Sequence, residues 1–191
     1  MTSSVHLILG GARSGKSRHA ELLAAQCERD GAQVVYVATA WPGDDEMRER
    51  IAHHRRTRPA RWQTVELPPE SAALARVVAE QSGRGRCVLV DCLTLWLSQL
   101  LCPPPGLPSH AAAPAVQALL DALRGVQGQV LLVSNEIGWG VTPMGPQARE
   151  VVDSLGRLHQ DIAAIASHVT LMVAGLAMPI KPAPWAAGPS H

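Results

Sequence analysis

The 191-residue sequence has no phenylalanine and a single tyrosine, and its five tryptophans bring aromatic residues to only 3%. A core must therefore be built from Leu, Val, Ile and Ala, and aromatic platforms for stacking single-stranded bases are not expected. Excess charge is also missing: 17 Lys+Arg face 16 Asp+Glu, for a formal net charge of +1. That argues against a generally basic, nucleic-acid-coating protein and leaves room only for a local basic patch. Cys27, Cys87, Cys92 and Cys102 form no C-x-x-C pair and stand at no zinc-ligand spacing to a histidine. They read as free, mostly buried thiols of a reducing, cytoplasmic compartment. No basic segment precedes the first apolar run, which argues against a signal peptide. No apolar run approaches the ~20 residues of a membrane span. What remains is a chain with 47% hydrophobic and 17% charged residues, enough for one folded domain and too apolar for general disorder.

Short, nearly continuous apolar runs recur at Val5–Leu9, Val34–Ala38, Cys87–Val90, Val130–Val133 and Val169–Val173. Runs of this kind fit parallel strands covered on both faces. Arg61–Leu67 alternates and suits a sixth, peripheral strand. Helical patterns fill the intervals at Lys16–Arg29, Asp44–Arg58, Glu70–Gln81, Leu93–Leu101, Pro114–Gly125 and Pro146–Ala166. Strands alternating with helices predict an α/β fold with a mainly parallel sheet. Cys102–Pro114, with five prolines, reads as a surface loop, and Pro179–His191 as an extended or frayed tail.

Gly10-Gly11-Ala12-Arg13-Ser14-Gly15-Lys16-Ser17 fits G-x-x-x-x-G-K-[ST], directly after the first strand and at the start of an amphipathic helix. Glycines let the backbone wrap a phosphate with its N–H groups inward, and the helix N-terminus adds positive potential. Lys16 would reach the β- and γ-phosphates and Ser17 would ligate magnesium. Asp91, at the end of the buried run Cys87–Val90, supplies the second expected element of a phosphate site, an acid, for magnesium, for capping the following helix, or for both. These features define a magnesium-dependent P-loop NTPase or kinase and do not choose a substrate.

The segment Asp44–Pro59 carries acids at its start, a basic run at its end and a double histidine, His53-His54. Met47, Ile51 and His54 share one helical stripe, while His53 points about 100° away. A solvated charged helix satisfies this pattern. So does a nucleotide-handling histidine surrounded by Arg55, Arg56 and Arg58, since neutral imidazole is a competent nucleophile near pH 7.

Three segments together resemble one family: GGARSGKSRHAE (Gly10–Glu21), DDEMRERIAHHRRTRPARWQTVE (Asp44–Glu66) and LLVSNEIGWGVTP (Leu131–Pro143). The chain is similar to the bifunctional adenosylcobinamide kinase/adenosylcobinamide-phosphate guanylyltransferases of adenosylcobalamin (vitamin B12 coenzyme) synthesis. The likeness runs from about His6 to about Lys181. It implies a P-loop NTPase (RecA-like) three-layer fold, with residues 1–181 as one domain and 182–191 as a tail. It implies phosphorylation of the aminopropanol hydroxyl of adenosylcobinamide by GTP or ATP, followed by transfer of GMP from GTP to adenosylcobinamide phosphate. The GMP would pass through a covalent link to a histidine, the first of the pair and hence His53. The nucleotide would be held by Leu9, by Gly10 through Lys16, by Val37, Ala38 and Thr39, by His54, Arg55, Arg56 and Thr57, by Glu66 and by Asp91. Some relatives carry Glu where this chain has Asp91. A homotrimer is implied as well, with no nucleic-acid partner.

Asn135, Glu136, Gly138 and Gly140 follow a strand and read as an active-site loop. Trp41 and Trp139 are expected to pack, and Trp96 to lie in the core. His6, His19, His110, His159, His168 and His191 show no ligand spacing. The competing readings are another P-loop small-molecule kinase without guanylyl transfer, a RecA-like NTPase acting on nucleic acid, and a degenerate binding protein. The near-neutral charge opposes the nucleic-acid reading, and the intact Gly15-Lys16-Ser17 with Asp91 opposes the degenerate one.

Overall fold

The computed structural model describes residues 3–40, 49, 59–68, 70, 72–103 and 111–182. Among them the chain forms seven strands, β1 Ser4–Gly10, β2 Gln33–Ala38, β3 Gln63–Glu66, β4 Arg86–Asp91, β5 Gln129–Asn135, β6 His168–Val173 and β7 Leu176–Lys181. The helices are α1 Lys16–Arg29, α2 Ala73–Gln81, α3 Leu93–Leu101, α4 Ala112–Arg124 and α5 Pro146–Ile165. The strands make one sheet in the order β3-β2-β4-β5-β1-β6-β7. All neighbours pair in parallel except β6 and β7.

The continuous apolar runs reflect burial on both faces. Leu7, Val35, Val37, Val88, Val90, Val130 and Leu132 pack with α2, α3, α4 and α5. Ile8, Val34, Tyr36, Cys87, Leu89, Leu131 and Val133 pack on the opposite face with Ala20 and Ala24 of α1. Each fully buried Leu, Ile or Val contributes about 1.5–3 kcal/mol. Alanines on the buried stripe of α1 let that helix lie close to the sheet, which fixes the position of the loop leading into it.

Most elements agree with the sequence reading, and three differ. The helix expected over Glu70–Gln81 starts at Ala73. Glu70 instead forms a turn, its carbonyl accepting from Ala73 N–H and its carboxylate pairing with Arg76. The helix expected from Pro114 starts at Ala112, so the end of the expected 102–114 loop is helical. Pro114 is tolerated in the first turn, where no intrahelical N–H is needed.

The third difference is the tail, since Pro179, Ile180 and Lys181 belong to strand β7. Ala174 and Gly175, with φ of 51° and 80°, reverse the chain after β6, a backbone twist suited to tight hairpins. Pro179 is accommodated because β7 is an edge strand with a register shift beside that residue. Lys181 Nζ donates to the carbonyls of Ala163 and Ala164 near the end of α5. The expected helix Asp44–Arg58, apart from Glu49, and residues 104–110 and 183–191 lie outside the described residues.

Candidate active site

Parallel pairing brings the carboxyl ends of six strands, β1 to β6, to one edge of the sheet, the edge at which open α/β folds bind ligands. Gly10 of β1 stands level with Asn135 of β5, while Ala38 of β2 stands level with both Glu66 of β3 and Asp91 of β4. Leu9 and Val37 are packed against or buried in the core. Residues 38–39, Glu66 and Asp91 are therefore the sequence-predicted positions that β2, β3 and β4 carry to the edge.

The loop from Gly10 to Lys16 is shaped by its backbone. Arg13 and Gly15 take left-handed conformations, with φ of 56° and 93°. Such reversals turn successive N–H groups toward one concavity. Gly10 is required sterically: a Cβ there would lie 2.8 Å from the carbonyl oxygen of Met172. Two amides from neighbouring elements hold the loop, Glu136 N–H on Gly10 O at 3.1 Å and Gly175 N–H on Ser14 O at 3.0 Å. Lys16 Nζ donates to Gly11 O at 3.1 Å. Lys16 and Ser17 open α1, whose first turn contains no acidic residue to neutralise its positive end. Ser14 Oγ is buried without a hydrogen-bond partner among the described residues, as befits a hydroxyl placed in a cradle for an anion.

Asp91 accepts a 3.0 Å hydrogen bond at Oδ2 from Tyr36 OH, the one tyrosine of the chain. It does not cap α3; that position is Cys92, with no side-chain cap bond. Thr39 fixes the backbone just beyond Asp91. Its buried hydroxyl donates to Cys92 O and accepts from Cys92 N–H, both at 2.7 Å. Its carbonyl accepts from Gln99 Nε2 at 3.1 Å. The Thr39 side chain thus positions the carboxylate-bearing strand end.

At the end of β5, Asn135 and Glu136 of the expected active-site loop join a polar group with Thr94, Ser134 and His159, three residues that the sequence reading missed. Asn135 N–H donates to Thr94 Oγ1 at 2.7 Å, Thr94 Oγ1 lies 3.1 Å from Ser134 Oγ, and Ser134 Oγ lies 2.7 Å from His159 Nε2. His159 Nδ1 stands 3.6 Å from Glu136 Oε2, and Glu136 Oε1 accepts from Gly138 N–H at 2.9 Å. Burial lowers the pKa of His159 against an opposing pull from Glu136, which favours the neutral ring. A trace of this group existed in the sequence: His159 interrupts the apolar stripe Leu155, Leu158, Ile162 of α5. Its partners are set by tertiary packing.

Trp96 is buried as expected, but Trp139 is 75% exposed and does not pack. A cavity of about 160 Å³ under the same loop is lined by Gly138, Val141, Thr142, Arg149 and Asp153. This is below the roughly 300 Å³ of ordinary small-molecule pockets. His53, His54, Arg55, Arg56, Thr57 and Trp41 lie outside the described residues.

Among known families, residues 6–180 match the one described as cobinamide kinase / cobinamide phosphate guanyltransferase. The chain belongs to that family. It is 51% identical over 179 residues to the bifunctional adenosylcobalamin biosynthesis protein CobP of Pseudomonas aeruginosa, covering 93% of this chain and 98% of CobP. It is 38% identical over 185 residues to the corresponding protein CobU of Escherichia coli, covering 92% and 98%. The flagellar accessory protein FlaH of Methanocaldococcus jannaschii superposes with a TM-score of 0.52 at 14% identity, over 98% of this chain and 82% of that one. This likeness speaks to the RecA-like P-loop fold alone. In this cobinamide kinase / guanyltransferase the phosphate loop, Asp91 and the Asn135–Gly140 segment therefore share one edge of a P-loop sheet.

Proposed function

We propose that the chain carries out both reactions of its family. It phosphorylates the aminopropanol hydroxyl of adenosylcobinamide with GTP or ATP. It then transfers GMP from GTP to adenosylcobinamide phosphate, giving adenosylcobinamide-GDP and pyrophosphate. One observation carries the reading: an intact phosphate loop and the Asp91 carboxylate lie at the same sheet edge, in a chain matched to the family over residues 6–180.

The loop amides of Gly10 through Lys16 and the positive end of α1 bind the phosphates, and the Lys16 ammonium offsets charge developing on the transferred group. His53 is the nucleophile toward the α-phosphorus. Its bond to GMP forms as pyrophosphate leaves, and it breaks when a phosphate oxygen of the acceptor attacks. His54, Arg55, Arg56 and Thr57 contact the nucleotide beside it, where guanidinium groups stabilise negative charge at phosphorus. Glu66, with Ala38 and Thr39 nearby, accepts from the guanine N–H donors.

Magnesium fits the oxygen donors of Ser17 and Asp91, because this ion takes one or two protein groups and completes its shell with phosphates and water. Among the described residues no group of three His, Cys, Asp or Glu forms a metal cage. Bound magnesium would neutralise phosphate charge. The working form is a cytoplasmic homotrimer. Analytical ultracentrifugation checks this, with a species of three chain masses expected and a monomer at micromolar concentration against it.

The activity is tested with magnesium and GTP labelled at the α- or the γ-phosphate, on the wild type and His53→Ala. Acid-labile, base-stable label from the α-position only, absent from the variant, is the expected result. A folded, GTP-binding wild type that acquires no covalent GMP would leave a P-loop kinase without guanylyl transfer.

A further inference from the structure

The hydrogen-bonded group beyond β5 has a definite direction. An amide at one end, Asn135 N–H, can only donate. A carboxylate at the other end, Glu136, accepts when ionised. With a neutral imidazole, only one arrangement satisfies both ends. Thr94 accepts from Asn135 N–H and donates to Ser134, Ser134 donates to His159 Nε2, and the ring proton sits on Nδ1, facing Glu136 Oε2 at 3.6 Å. The reverse tautomer would aim an imidazole lone pair at the carboxylate. Ser134 is fully buried and the His159 side chain is 8% exposed, so water does not compete for the bonds from Asn135 to His159 Nε2. His159 Nδ1, buried with no hydrogen-bond partner among the described residues, has the Glu136 carboxylate within ion-pair distance.

Glu136 is fixed at two other points. Its backbone N–H donates to Gly10 O at the root of the phosphate loop, and its Oε1 accepts from Gly138 N–H. Its side chain is 20% exposed, against 8% for His159. The result is a partly exposed carboxylate, bonded by Gly138 N–H and faced by His159, on a residue whose backbone is tied to the root of the phosphate loop.

We propose that Glu136 is the catalytic base of the phosphorylation step and that His159 is its positioning residue. This rests on the two-reaction reading above. In phosphorylation the acceptor is an alcohol. Its O–H proton passes to the Glu136 carboxylate as the oxygen–γ-phosphorus bond forms. The bond from γ-phosphorus to the β,γ-bridging oxygen breaks, nucleoside diphosphate leaves, and the proton then goes to solvent. In guanylyl transfer the acceptor is an ionised phosphate oxygen with no proton to remove. The base is therefore needed in only one of the two reactions.

The test measures both reactions separately in the full chain with magnesium, using cobinamide as alcohol acceptor and cobinamide phosphate as phosphate acceptor. The variants are Glu136→Gln, His159→Asn and His159→Leu. Glu136→Gln is expected to lower kcat for phosphorylation by about 100-fold or more, with guanylyl transfer reduced at least about tenfold less. His159→Leu is expected to lower phosphorylation by roughly tenfold to 100-fold. His159→Asn, whose amide N–H can take the place of Nδ1–H, is expected to retain severalfold more rate than the Leu variant.

GMP loading from GTP reports the folded state of each variant. In the wild type it tests the two-reaction reading itself, so failure there is distinguished from failure of the base assignment, which the phosphorylation rates still decide. Should His159→Leu fail to fold, the near-isosteric Glu136→Gln and the His159→Asn variant carry the test. Equal losses in both reactions, full phosphorylation by Glu136→Gln, or equal rates for the two folded His159 variants would overturn the proposal.

Discussion

Thr39 shows how one hydroxyl can set a site through the backbone it holds. It both donates to and accepts from the peptide groups of Cys92, so the strand end that presents Asp91 is tied to β2. Thr39→Val keeps the shape and removes the hydroxyl. Cys92 O retains a second donor, Trp96 N–H at 3.3 Å, but Cys92 N–H is left buried and unpaired. The expected loss is about 1–3 kcal/mol, read as a lower urea midpoint at unchanged slope, together with weaker GTP binding. Among residues, the legible part of the site was the part carried by local sequence. Gly15, Lys16 and Ser17 declare themselves because loop, strand and helix are contiguous. Asp91 declares itself because it ends a buried run. Tyr36, Thr94, Ser134 and His159 do not, because each acquires its role from a partner 25 to 55 residues away.

Elements divide in the same way. The inner strands were readable because burial on both faces removes polar residues from the run, as in Val34–Ala38 and Val130–Val133. β7 was not read as a strand, because Pro179 interrupts its short apolar run and argued against it. The pairing of β1 with β6 also carries a pH dependence. His6 and His168 stand opposite each other, with ring centroids 5.3 Å apart, and His6 Nε2 lies 2.8 Å from Thr170 Oγ1. Burial first, then repulsion from His168 and His19, lowers His6 from 6.5 to about 4. Between these values the unfolded chain binds a proton that the folded chain refuses. The stability tied to neutral His6 is therefore complete above pH 6.5 and declines as pH falls toward 4. Urea midpoints measured at pH 7 and at pH 5 should fall on acidification, and His6→Gln should reduce the drop. An identical drop in the variant would place the effect elsewhere.

For the whole molecule, the class of the sheet was legible and the order of its strands was not. Alternating strands and helices imply parallel pairing. The placement of β1 between β5 and β6 depends on how the crossovers pack. That placement puts the phosphate loop near the middle of the sheet edge, so nucleotide binding is coupled to the folding of the entire domain. Added GTP at about 100 times its Kd should contribute about 2.7 kcal/mol and raise the Tm by roughly 5–10 °C. Calorimetry with and without GTP checks this, and an unchanged Tm would contradict a folded-state nucleotide site. The amides of Glu136 and Gly175 grip the loop at both ends, and neither grip uses a ligand. The entropy of ordering this segment is therefore lost once, during folding, and not again at each turnover. Nucleotide capture becomes a rigid-receptor encounter, with its speed set by diffusion and charge steering and its lifetime set by release.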